Sequence, residues 1–126
     1  LLINMVGKTH ISDAIDVLGM CNLVISNDSG LMHVAAALER PLLVIYGSTS
    51  PEHTPPLSSN SSILSLGLTC SPCFNRMCPL GHLECLTKIS PEMVIQKSYE
   101  LMELSLISNT AIDSKLNSQI SPMVCL

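Results

Sequence analysis

Charge is in short supply in this sequence. Only 13% of its 126 residues are Asp, Glu, Lys or Arg, whereas 47% are apolar, and the mean hydropathy is +0.43. A surface so poor in charge implies that part of it packs on something else. Basic residues are scarcest, six against ten acidic ones for a net charge of −4, which argues against a nucleic-acid footprint. No apolar run approaches the ~18 to 20 residues of a membrane helix, and no basic segment precedes a signal-like core. The expected location is therefore the cytoplasm. The chain also has no initiator Met; it opens at Leu1 inside an apolar segment, and a fragment of a longer protein is expected. Its length allows one domain with a real core but is small for an enzyme that must hold two substrates.

What is present alternates between two periods. Leu2 to Val6 reads as a short strand ending at Gly7, and Ser12 to Met20 as a helix with a stripe at Ile11, Ile15 and Leu18 widened by Ala14 and Val17. Leu23 to Ser26 is the next strand and Gly30 to Leu38 the next helix. Pro41 to Tyr46 is almost wholly apolar, as a parallel strand covered on both faces should be. Right-handed crossovers place these strands in one parallel sheet, with ligands beyond the carboxyl ends, where Asp28 to Leu31 and Gly47 to Ser50 would meet. Pro51, Pro55 and Pro56 make 47–56 a loop over that rim. After a polar turn at Ser58 to Ser62 come a strand at Ile63 to Leu66 and a helix capped by Ser90, with Pro91 at its first position, running to about Leu104. Residues 105–126 have no clear period and read as an irregular tail.

The most telling segment is Asn27-Asp28-Ser29-Gly30-Leu31-Met32-His33, lying between an apolar strand and an alanine-rich helix. A tight turn here would leave the N–H groups of Ser29, Gly30 and Leu31 at the positive end of a helix dipole, able to hold a phosphate or diphosphate. Gly30 allows close approach, the Ser29 hydroxyl can donate to phosphate, and Asp28 is free to accept from sugar hydroxyls. The bland alternative is that Asp28 or Ser29 is simply an N-cap.

Four cysteines, Cys70-x2-Cys73-x4-Cys78-x6-Cys85, fall within 16 residues, with His82 beside them. In a cytosolic chain such a cluster serves metal more often than disulfides, and four thiolates suit structural Zn2+ or an iron–sulfur centre. The spacing is not that of paired Cys-x2-Cys ribbons, and reduced loop cysteines are the competing reading. Cys21 and Cys125 read as structural or incidental.

Taken together, Gly7-Lys8-Thr9, the Asp28-Ser29-Gly30-Leu31-Met32-His33 block with its alanines, Arg40-Pro41-Leu42, Tyr46-Gly47-Ser48, Ser50-Pro51, Thr54-Pro55-Pro56 and Cys70-Ser71-Pro72-Cys73 to Cys78-Pro79-Leu80-Gly81-His82 resemble the ADP-heptose:lipopolysaccharide heptosyltransferases. The likeness is to the heptosyltransferase II branch in particular and spans roughly residues 2 to 104. It implies an α/β fold: a Rossmann-like parallel sheet with flanking helices, the C-terminal half of a GT-B glycosyltransferase, in which two such domains face each other across a cleft. It also implies that this half binds the donor, ADP-heptose, and that the enzyme adds L-glycero-D-manno-heptose to the lipopolysaccharide inner core.

By the same resemblance, residues matching Ser29, Gly30 and Leu31 hold the donor diphosphate, while those matching Asp28 and His33 lie at the heptose and phosphate. Lys8 matches a lysine beside the nucleotide, and Thr9 lies where the chain passes the adenine. Read from the residues alone, Lys8 is equally an exposed lysine flanking a helix, and His33 a packed or half-exposed histidine. The acceptor and the catalytic base, an aspartate in the family, would belong to an absent N-terminal domain, so no base is assigned here. The implied reaction is an inverting displacement that needs no cofactor. The lack of any Asp-x-Asp pair fits leaving-group stabilisation without a metal. The resemblance adds to the cytoplasmic expectation a peripheral place at the inner face of the inner membrane. Two other readings stay open: an inactive truncated remnant of the transferase, and a small metal-binding interaction module centred on the cysteines, for which one aromatic, Phe74, offers little base stacking.

Overall fold

The computed structural model describes residues 2–109 and 123–126. Helix α1 (Ile11–Met20) leads into strand β1 (Leu23–Asn27), helix α2 (Gly30–Ala37) and strand β2 (Leu42–Ile45), and then strand β3 (Ser61–Leu64). A short helix α3 (Glu84–Thr87), the long helix α4 (Pro91–Asn109) and a two-residue strand β4 (Val124–Cys125) follow. The four strands form one sheet in the order β3-β2-β1-β4, and every pairing is parallel.

Period-two alternation in β1 and β2 divides the core into two layers. Val24, Leu42 and Val44 point to one face, where they pack with Leu18, Cys21, Met32, Ala35, Ala36 and Tyr46. Leu23 and Leu43 point to the other, against Leu64 and Leu101, with Met93, Val94 and Met102 of α4 closing over them. A parallel sheet needs apolar cover on both faces, and α1 and α2 supply one layer while α4 supplies the other. The alanines of α2 let its backbone come close to the sheet: Ala35 and Ala36 are buried.

Caps set the helix starts. The Asp13 carboxylate accepts the His10 N–H at 2.9 Å at the head of α1, and the Ser90 hydroxyl accepts the Met93 N–H at 3.3 Å at the head of α4, as the Ser90-Pro91 pattern predicts. α2 stops at Leu38, where Glu39 takes a positive φ of 53° just before the extended lead-in to Pro41.

Several expectations require correction. Leu2 to Val6 is not a strand but irregular chain turning at 6–8; Leu2, Ile3 and Val6 are largely exposed, so no neighbour completes a ladder for them. The third strand pairs through Ser61–Leu64 rather than Ile63 to Leu66, because its register on β2 starts at Leu42↔Ser61. Helix α3 has no period signal at four residues. Beyond Leu104, α4 continues to Asn109 and β4 joins the sheet, pairing Leu23↔Val124 and Val24↔Cys125; the rest of the expected tail, 110–122, lies outside the described residues.

Cys21 and Cys125 are joined by a disulfide across a sequence separation of 104, their Cα atoms 6.1 Å apart. The bond ties β4 to the end of α1, and Met123 O accepts the Asn22 N–H at 2.8 Å beside it. Closing a loop of this size removes unfolded-state entropy worth about 5 kcal/mol in the chain-entropy picture. Reduction, or Cys125→Ser, is therefore expected to lower the unfolding free energy of the oxidised chain by about that amount, read from urea unfolding with and without reductant. Equal midpoints would show that the disulfide contributes nothing to stability.

Candidate functional site

The register Asn27↔Ile45 sets the carboxyl ends of β1 and β2 side by side, so the turn entering α2 and the loop leaving β2 share one rim. Ser29 is the N-cap of α2, with extended φ −151° and ψ 170°, yet its hydroxyl makes no capping bond; it lies 3.4 Å from the Ser26 hydroxyl. The Met32 N–H is taken by Ser29 O at 3.1 Å. Among the described residues no acceptor meets the N–H groups of Ser29, Gly30 or Leu31, and Gly30 and Leu31 are exposed. The helix thus presents its orphan donors and dipole to solvent at the expected place.

Gly30 sharpens that observation. Its φ does not lie in the left-handed region, and a Cβ built on it would meet nothing within 4 Å. Neither backbone conformation nor packing within the chain demands glycine here; the open space in front of the donors is what its missing side chain preserves.

Asp28 is less free than its sequence context implies. One carboxylate oxygen accepts the Thr54 hydroxyl at 2.8 Å, and the Thr54 carbonyl in turn accepts the Tyr46 hydroxyl at 2.5 Å. Thr54 itself is fixed by Ser50 O, which accepts its N–H at 3.2 Å. This relay ties the turn after β1 to the loop after β2, and among the described residues the second Asp28 oxygen has no hydrogen-bond partner. Burial, aided by the Asp28 charge, raises the Tyr46 pKa above its ordinary 10.0. Tyr46 and Thr54 were missed as site residues by sequence reasoning. The available signal was a lone hydroxyl-bearing aromatic closing an otherwise aliphatic strand, with Thr54 inside the loop of prolines.

The other expected residues are placed less tightly. His33 is exposed one turn into α2, on the same helix as the donors. Lys8 is exposed, and its ammonium donates to Asn4 O at 3.1 Å; Thr9 is half-buried beside it. No hydrogen bond among the described residues links Lys8 or Thr9 to the turn at Asp28 to Leu31.

Next to the rim sits the cysteine loop. Ser48 O accepts the N–H groups of Cys73 at 3.1 Å and Phe74 at 2.7 Å, and Gly47 O accepts the Ser71 hydroxyl. Leu86 of α3 packs so closely on Gly47 that a Cβ there would stand 2.7 Å from it. Cys70, Cys73, Cys78 and Cys85 are free thiols and line one cavity of about 40 Å³ with His82. Backbone N–H groups, that of Leu83 foremost, hold the Cys78 thiol pKa below its ordinary value. As the side chains lie, no group of three or more His, Cys, Asp or Glu among the described residues is gathered to hold a metal ion. Neither this cavity nor a larger groove of about 440 Å³ at the amino end of β3 includes residues 28–33 in its lining.

Fold and rim define the class first: an α/β domain whose parallel sheet is covered on both faces and whose polar turns gather at the carboxyl ends of β1 and β2. Comparison with known proteins then gives the family. Residues 2–84 match the model of glycosyltransferase family 9 (heptosyltransferase), and the chain belongs to that family. It is 39% identical over 107 residues to lipooligosaccharide heptosyltransferase 2 of Haemophilus influenzae, covering 79% of this chain and 29% of the relative. The lipopolysaccharide heptosyltransferase 2 of Escherichia coli is 36% identical over 99 residues, covering 79% of this chain and 28% of that protein. The solved structure of E. coli ADP-heptose LPS heptosyltransferase II superposes with a TM-score of 0.66 at 34% identity, over 82% of this chain and 28% of that one. The expected fold class therefore holds: a Rossmann-like parallel sheet with flanking helices, matched to a GT-B glycosyltransferase. The chain spans less than a third of the length of these relatives. No described helix is long and apolar enough to cross a membrane.

The relay makes a prediction of its own. Thr54→Val should cost about 1.5 kcal/mol and Tyr46→Phe about 1 kcal/mol, with the double variant costing less than their sum because both act through one network. Tyr46 is favoured in its neutral form by the fold, so its contribution is intact below the ordinary tyrosine pKa of 10.0 and is lost as pH rises through the raised folded value. Alkaline unfolding scans should show this loss in the parent chain and not in Tyr46→Phe.

Proposed function

We propose that this chain is the donor-binding part of a heptosyltransferase, holding ADP-heptose for transfer of L-glycero-D-manno-heptose to the inner core of lipopolysaccharide. The observation that carries this is the set of N–H groups at Ser29, Gly30 and Leu31 that have no partner among the described residues, with open space at Gly30, in a chain of glycosyltransferase family 9. The diphosphate would sit on those donors, with the Ser29 hydroxyl as one more. The unpaired Asp28 oxygen is placed to accept from a sugar hydroxyl. His33 and Lys8 would supply positive charge or donors at the phosphates, and Thr9 would pass the adenine, once the Lys8 side chain leaves Asn4 O.

The chemistry is an inverting displacement at the anomeric carbon. An acceptor hydroxyl attacks, its proton passes to a carboxylate outside this chain, and ADP departs. Charge grows on the leaving diphosphate as the bond breaks, and donors fixed by α2 stabilise it without reorganising. Each is worth about 1.5 to 3 kcal/mol against a charged oxygen, and in this reading the reaction requires no metal or other cofactor. The lipopolysaccharide acceptor and the base would be held by the part of the relatives' length that this chain does not span, at the cytoplasmic face of the inner membrane.

With only one side of a cleft, binding should be weak, about −5 to −6 kcal/mol, or a Kd in the high micromolar range. Calorimetric titration with ADP should show this, and Gly30→Val, which fills the open space, should weaken it at least tenfold. Unchanged binding in that variant would remove the turn as the anion site.

The chain alone should transfer no sugar. Bringing donor and acceptor together accounts for ~7 to 11 kcal/mol of barrier, and only the donor side is proposed here. Fusion to the N-terminal domain of a related heptosyltransferase should restore transfer to a heptose-bearing core, with Asp28→Ala and His33→Ala lowering it. Turnover by the 126 residues unaided would show that the chain contains an acceptor site and base of its own.

A further inference from the structure

The loop between β3 and α3 poses a problem that the donor site does not solve. Residues 65–83 contain no helix or strand, and unstructured connections of this length are uncommon within compact domains. The loop adds nothing to either core layer, and its apolar side chains Phe74, Met77, Leu80 and Leu83 are exposed. Beyond turns of its own and bonds into the start of α3, its polar and ring contacts with the described residues are the bonds to Gly47 O and Ser48 O and an edge-on contact of Phe74 with the His53 ring at 5.0 Å. Something other than burial must hold it in one conformation.

We propose that Cys70, Cys73, Cys78 and Cys85 bind one structural Zn2+ that fastens this loop beneath the donor rim. All four are free thiols, although the same chain joins its other two cysteines in a disulfide, and all four line a single small cavity. His82 is set aside as a ligand by its own bond: its Nδ1 accepts the Glu84 N–H at 3.0 Å, which leaves the ring proton on Nε2. Four sulfur donors with no oxygen or imidazole suit a soft tetrahedral ion.

The sulfurs are not yet gathered as the side chains lie, so binding would draw them to ~2.3 Å from one ion. Four Zn–S bonds form as four S–H protons leave to solvent. Binding and ordering of the loop thus become one equilibrium. The zinc takes no part in sugar transfer; it acts through Cys73 and Phe74, whose N–H groups grip Ser48 O. This does not depend on the donor reading, since zinc would be held whether or not ADP binds.

The test uses the full chain, made in zinc-supplemented medium and kept reduced. Elemental analysis should find one zinc per chain, retained on dialysis and removed by a strong chelator, with residues 65–83 then cut faster by protease. Cys73→Ser should lose zinc affinity by at least tenfold, whereas Cys125→Ser, which lies outside the cluster, should keep one zinc. Since losing a ligand can also unfold the loop, cobalt substitution of the unaltered chain provides a second reading: a sulfur-to-cobalt charge-transfer band with the intensity of four thiolates. Folded, reduced and metal-free protein would overturn the proposal, as would full zinc content in Cys73→Ser, a cobalt spectrum with fewer thiolates, or iron accompanied by acid-labile sulfide.

Discussion

The parallel pairing of β1 with β2 is the interaction on which the rest of the molecule depends. Its register brings Asn27 opposite Ile45, and because both strands run the same way, both leave the sheet at the same edge. Asp28 and Thr54 are 26 residues apart, yet they meet within 2.8 Å because of this. An antiparallel pairing of the same strands would send the two loops to opposite ends and separate the donors of α2 from Tyr46, Thr54 and Ser48.

That pairing is held by burial rather than by polar contacts. Leu42, Leu43 and Val44 have no exposed surface, each worth roughly 1.5 to 3 kcal/mol on removal from water, and alternate residues feed different layers. The ion pairs Lys88–Glu84 and Lys97–Glu100 lie on exposed helix faces, where such pairs contribute little. A stiff apolar sheet thus carries a polar, unsatisfied rim, a division of labour common to α/β domains: the core specifies position and the loops specify chemistry.

The rim is built from two kinds of support. Inside the strand pair, the relay from Tyr46 through Thr54 to Asp28 fixes the turn from behind. Outside it, the cysteine loop bonds to Gly47 O and Ser48 O, and Leu86 of α3 packs on Gly47 where a Cβ would force its side chain to shift. The first support is complete in the chain as folded. The second depends on a loop with no core of its own, which is why its thiols matter to the rim at all.

The sequence by itself determined the elements whose period is strong or whose ends carry local signals: the helix from Ser12 to Met20, the turn from Asp28 to Leu31, the aliphatic strand at Leu42, and the start of α4 at Ser90-Pro91. Each rests on contacts a few residues apart, which a linear pattern records. The family likewise was legible, because the block around Asp28 to His33 combines a backbone requirement with side-chain chemistry. Only the tertiary structure decided that Leu2 to Val6 has no partner strand, that Val124 and Cys125 do pair, and that Cys21 joins Cys125 across 104 residues. The same holds for Asp28, whose free carboxylate proved half committed to Thr54. Strand pairing, disulfide partnership and loop-to-loop hydrogen bonds join positions whose separation leaves no period in the chain, so they become visible only when folding has brought the groups together.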